Sequence, residues 1–100
     1  MLIGVAPAAE DILKLACAMY GIKRDELLRP QRGRFNEPRN VAIHLIREIR
    51  HDTLNEVGRL FRMSRYTSAS SAIGRVKAQM EGDRQMQKRI QKIIDNIYKG

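Results

Sequence analysis

The chain has 100 residues, 43% hydrophobic but only 5% aromatic and without tryptophan, so it suits one small domain and argues against both a β-sandwich and wholesale disorder. Nineteen Lys and Arg, thirteen of them Arg, oppose eleven Asp and Glu; the resulting +8 attracts polyanions such as nucleic acid, acidic membranes or acidic proteins. The lone Cys17 cannot form an internal disulfide, no apolar run approaches the ~20 residues that span a bilayer, and the opening "MLIGVAPAA" lacks a basic n-region, so an intracellular, cytoplasmic chain without membrane contact is expected.

"PAAEDILKLACAMYG" reads as a first helix, with Pro7 near its start, Glu10 and Asp11 in the early turns and Gly21 as its stop. Ile12, Leu15, Ala16 and Met19 form its apolar stripe, and Cys17 is expected to be a buried structural thiol. "KRDELLR" follows as a short helical turn anchored by Leu27 and Leu28. In "RPQRGRFNEPRN", Pro30, Gly33 and Pro38 prevent a continuous helix, while Arg29, Arg32, Arg34 and Arg39 make the segment an exposed basic loop. Asn36 is placed to cap the next helix, "EPRNVAIHLIREIR". Its inner face would be Ala42, Leu45, Ile46 and Ile49, with Val41 and Ile43 partly covered and Arg39, Arg47, Glu48 and Arg50 toward solvent.

"TLNEVGRLF" opens on a capping box, Thr53 with Glu56, and buries Leu54, Val57, Leu60 and Phe61. A turn of three or four residues at "RMS" leads to Ser64 as N-cap of a second helix, whose inner residues are Ala69, Ala72, Ile73 and Val76. Gly58 marks a close helix contact, and Met63 plugs the core from within the turn. Gly82 breaks this helix, Asp83 caps a last one, and Met86, Ile90, Ile93, Ile94 and Ile97 line its inner face. The expected fold is an all-α bundle of five to six helices containing a helix-turn-helix, in one domain.

The outer face of the second helix holds Thr67, Ser71 and Gly74, with Ser68 and Ser70 beside them, where surface helices ordinarily carry long charged residues. A major groove about 12 Å wide admits a helix most closely when its outer face is small. Arg65 and Tyr66 stand at the N-terminal tip, where recognition helices read bases, and helix-end N–H groups near Ser64 favour a phosphate. Arg65, Tyr66, Thr67, Ser68, Ser71, Gly74 and Arg75 are therefore expected at the major groove of double-stranded DNA, with Arg62, Ser64 and Lys77 at its edge. Arg32, Arg34 and Arg39 would clamp phosphate or reach the adjacent minor groove. The alternative is a protein-interaction module whose basic face meets an acidic partner. His44 and His51 lack a third ligand, and no nucleophile, phosphate loop or carboxylate pair stands out, so neither metal, cofactor, small-molecule substrate nor enzymatic activity is expected.

From about Glu10 to Ile97, the ordered segments "ILKLACAMYGIKRDELL", a basic loop, "PRNVAIHLIREI", "TLNEVGRLF" and "RYTSASSAIGRVK" resemble the C-terminal DNA-binding domain of the bacterial DnaA replication initiators. The resemblance implies a TrpR-like helix-turn-helix with a longer turn behind a basic loop. Where that family reads its origin box with Asp-His-Thr-Thr, this sequence has Arg65, Tyr66, Thr67 and Ser68. Where the family tends to place Arg before the loop proline, this sequence has Glu37, leaving Arg34 or Arg39 to substitute. The tip looks closer to DnaA-like domains attached to some REP-associated tyrosine transposases, although the paired histidines of their nuclease domain are missing. The implied role is sequence-specific DNA binding in replication, transposition or transcription regulation, with a fused or separate protein domain as a further partner.

Overall fold

The computed structural model describes residues 7–29, 36–63 and 66–99, with side chains for all of these except residues 66, 67 and 99. Among the described residues six helices follow in order: α1 (Ala9–Tyr20), α2 (Arg24–Leu28), α3 (Glu37–Arg50), α4 (Leu54–Leu60), α5 (Tyr66–Gly82) and α6 (Arg84–Lys99). No strand occurs among the described residues.

Local chemistry sets several helix ends. The Asn36 side-chain oxygen accepts the Arg39 N–H at 3.3 Å, and Thr53 Oγ1 accepts the Glu56 N–H at 3.1 Å. Asp83 Oδ1 accepts the Met86 N–H at 3.0 Å, and that bond holds its carboxyl below the usual carboxylate range. α5 includes Gly82, so the break falls at Asp83, one residue later than the glycine suggests. Gly21 closes α1 at φ 64, in the left-handed region, with its N–H on the Cys17 carbonyl.

α3 is the centre of the bundle. It packs chiefly against α1 and α5, with smaller contacts to α2 and α4, while α6 crosses α1 and α5. Every residue from Arg39 to Ile46 is consequently buried. Val41 and Ile43, expected to be partly covered, are wholly enclosed because neighbours surround this helix rather than flank one face. The core joins Ile12, Leu13 and Ala16 of α1 to Leu27, Leu28, Val57 and Phe61, then to Ala69, Val76, Met86, Ile90 and Ile93. Cys17, expected in that core, is only half-buried, and burial raises its thiol pKa.

Polar contacts tie the layers. Glu37, at the start of α3, receives a forked pair from Arg89 of α6 at 2.8 and 3.0 Å and the Tyr20 hydroxyl at 2.6 Å. Arg47 and Arg50, expected at the solvent, instead hold the α3–α4 junction. Arg47 donates to the Asp52 carbonyl, while Arg50 reaches the Asp52 carboxylate and the Pro7 carbonyl. Of the side chains predicted to face solvent on α3, only Glu48 is exposed.

Candidate nucleic-acid interface

α4 ends in a glycine-type turn without the glycine. The Met63 N–H bonds the Gly58 carbonyl at 2.7 Å and the Arg62 N–H bonds the Arg59 carbonyl at 3.2 Å, the paired bonds of a Schellman motif. Arg62 occupies its left-handed position at φ 59, a conformation that costs a non-glycine residue about 1–2 kcal/mol. A Cβ added to Gly58 would stand 3.8 Å from Met63 Cβ, an ordinary contact, so the neighbour beside this glycine is the turn's Met63. Met63 is partly buried against the core, as its plugging role requires. Five residues, not three or four, separate Leu60 from Tyr66, and Ser64 and Arg65 among them lie outside the described residues.

α5 docks on α3 and α4 through Ala69, Ala72, Ile73 and Val76, all buried. Its other side is open. Ser68, Ser70, Ser71, Gly74 and Arg75 are exposed, and a Cβ placed on Gly74 would meet nothing within 4 Å. No packing among the described residues therefore requires Gly74 to be small. Tyr66 and Thr67 begin α5, with their side chains outside the described residues. Lys77 is exposed, with its ammonium 3.7 Å from Glu48 of α3. Arg59 and Arg62 add exposed charge at the end of α4. The structure thus brings Arg62, Ser68, Ser71, Gly74, Arg75 and Lys77 onto α5 or the turn before it. Arg32 and Arg34 lie outside the described residues.

Arg39 is a correction. Expected among the phosphate contacts, it is only 5% exposed. Its guanidinium donates to the Leu28 carbonyl at 2.5 Å and the Phe61 carbonyl at 2.6 Å, and lies 5.4 Å from the centre of the Phe61 ring. These carbonyls stand at the C-terminal ends of α2 and α4, where a cation meets the negative end of each helix. One side chain therefore ties the C-terminal end of α2 to the C-terminal end of α4. Burial lowers the Arg39 pKa, and the nearby Arg62 charge acts in the same direction.

Sequence reasoning also missed Asp25, which accepts from Arg29 at 2.9 Å and from Arg62 at 3.4 Å. The Asp25–Arg29 spacing of one helical turn was a visible signal; the Arg62 contact spans 37 positions and was not. His44, set aside as a metal ligand, is 8% exposed on α3, its Nδ1 has no partner among the described residues, and burial depresses its pKa. Among the described residues no helix is long and apolar enough to cross a membrane.

Comparison with known proteins agrees with this geometry. Residues 9–76 match the family described as the bacterial dnaA protein helix-turn-helix, a span running from the first residue of α1 through Val76 of α5. A chromosomal replication initiator protein DnaA from Thermus thermophilus is 34% identical over 80 residues, which cover 77% of this chain and 18% of that protein. The protein of the same name from Rickettsia bellii is 30% identical over 91 residues, covering 87% of this chain and 20% of that protein. The chain spans only this minor part of each relative's length. It belongs to the bacterial DnaA helix-turn-helix family.

Proposed function

We propose that this domain binds double-stranded DNA by laying α5 in the major groove, with the basic loop on the backbone or in the neighbouring minor groove. Family membership supports DNA binding in general. The observation that carries the mode is the outer face of α5. Small side chains at Ser68 and Ser71, with open space at Gly74, lie beside the exposed cations Arg75 and Lys77. A face meant for another protein helix would gain from apolar side chains there; a groove walled by phosphates gains from close approach and positive charge.

In this reading Tyr66, Thr67, Ser68 and Ser71 contact base edges, with Arg65 at the helix tip, while Arg62, Ser64, Arg75 and Lys77 meet phosphates. Arg32 and Arg34 carry the loop contact. Arg39 is not in the contact set, since its guanidinium serves two backbone carbonyls. The tip residues Arg65, Tyr66, Thr67 and Ser68 support a target other than one read by Asp-His-Thr-Thr, and a role in regulation or transposition rather than origin recognition.

Fluorescence anisotropy with a random-sequence duplex, followed by selection of a preferred site, tests the proposal. Binding should weaken steeply between about 50 and about 200 mM salt. Arg34→Ala should weaken binding to all sequences and flatten the salt slope by about 1. Tyr66→Ala should instead change the preferred site. Absence of binding at low salt would refute the reading.

A further inference from the structure

Asp25, in the first turn of α2, has its carboxylate between two arginines from segments far apart in the chain. Arg29, which closes α2, donates through Nη2 to Oδ2 at 2.9 Å. Arg62, in the turn before α5, donates through Nη2 to Oδ1 at 3.4 Å. All three side chains are more than half exposed, so an external ligand has access to them. The hydrogen bond from Arg29, with the added charge of Arg62, holds the Asp25 carboxyl below its ordinary range.

The position of the two arginines is built into the backbone. Arg62 itself takes the left-handed position that closes α4. Arg39 grips the ends of α2 and α4 from inside, fixing one segment relative to the other. Two guanidiniums converge on the two oxygens of one carboxylate. A phosphodiester, with two unesterified oxygens sharing one negative charge, offers the same acceptors to the same donors.

We propose that Arg29 and Arg62 form a site for one backbone phosphate of duplex DNA, which the Asp25 carboxylate occupies in the free protein and DNA displaces. This rests on the DNA-binding reading above. Exposed ion pairs are individually weak, so the phosphate and the counterions it releases can win the exchange. The exchange acts at every encounter whatever the sequence. Asp25 thereby lowers affinity for every duplex by the same factor and leaves the ratio between sites unchanged.

The test is anisotropy with random duplex across a salt series, using the wild-type chain, Asp25→Asn, Arg62→Ala and the double variant, with melting curves recorded for each. Asp25→Asn should tighten random-duplex binding about fivefold at low salt, the scale of a strong exposed ion pair. It should also steepen the salt slope by up to about 1. Most of that gain should vanish in the Arg62→Ala background and, as an independent check, in Arg29→Ala. If the wild type binds but Asp25→Asn binds no tighter, the proposal is overturned. It is equally overturned if the gain is undiminished in both arginine backgrounds, because Asp25 would then act only as a nearby negative charge. A wild type that fails to bind any duplex would refute the DNA reading itself.

Discussion

Replacing Arg39 separates a buried tie from a phosphate clamp. The side chain makes two charge-assisted bonds to the Leu28 and Phe61 carbonyls and stacks on the Phe61 ring, with 5% of its surface exposed. Hydrogen bonds to charged groups contribute about 1.5–3 kcal/mol each, and truncation also strands two helix-end carbonyls. The desolvation of the guanidinium, relieved on truncation, offsets part of that loss. Arg39→Ala should therefore cost about 3–4 kcal/mol. For a domain of this size that lowers the melting temperature by roughly 15–20 °C. Arg39→Lys keeps the charge but reaches one carbonyl only, and should cost about half as much. Urea denaturation followed by circular dichroism measures both. The folded Lys variant should bind duplex more weakly with an unchanged salt slope, because the ends of α2 and α4 lose their common anchor but no phosphate contact is lost. A stability change under about 0.5 kcal/mol, or a slope reduced by about 1, would refute the buried-tie account.

Gly74→Ala should stabilise the free domain by about 0.5–1 kcal/mol, since the site is helical and open, whereas Gly74→Glu should keep the fold yet weaken duplex binding more than tenfold. Thermal melts and anisotropy on the same samples check both. Burial lowers the His44 pKa in the folded state, with Lys77 adding to the effect and Glu48 opposing it. The unfolded chain takes up a proton near pH 6.5, so this group's contribution to stability is present above that pH and is lost on acidification toward the folded pKa. Melting temperature should fall between about pH 7.5 and about pH 5.5, and His44→Leu should reduce the fall. Tyr20→Phe removes one bond to Glu37 and should cost about 1 kcal/mol. Glu37→Arg should cost more, about 2 kcal/mol, by setting a cation against Arg89; equal melting of the two variants would count against the Glu37 tie.

What was legible in the sequence was mostly local. The caps at Asn36, Thr53 and Asp83 join residues three apart, so each could be read without knowing the fold. The inner stripe of α5 at Ala69, Ala72, Ile73 and Val76 was equally plain, because that helix buries one face. α3 was misread where its environment departs from that case. Periodicity identifies one buried face, and α3 has several. Arg39 nevertheless carried a usable signal: it lies three and seven residues before Ala42 and Ile46, on the stripe assigned to the core. Charge outweighed position in reading it as solvent-facing. Glu37 stood out as a departure from the family pattern, but its partner Arg89 is 52 residues away and no local pattern points there. The small outer face of α5 was visible as composition; the structure adds that nothing among the described residues fills the space beside Gly74.

The most direct measurement is an NMR titration of labelled protein with random-sequence duplex at low and high salt. The account predicts salt-sensitive shifts at Arg62, at Ser68, Ser71, Gly74 and Arg75 of α5, and at residues 30–35, with the outer face of α6 unmoved. Shifts confined to α6, or none at low salt where phosphate contacts are strongest, would contradict it.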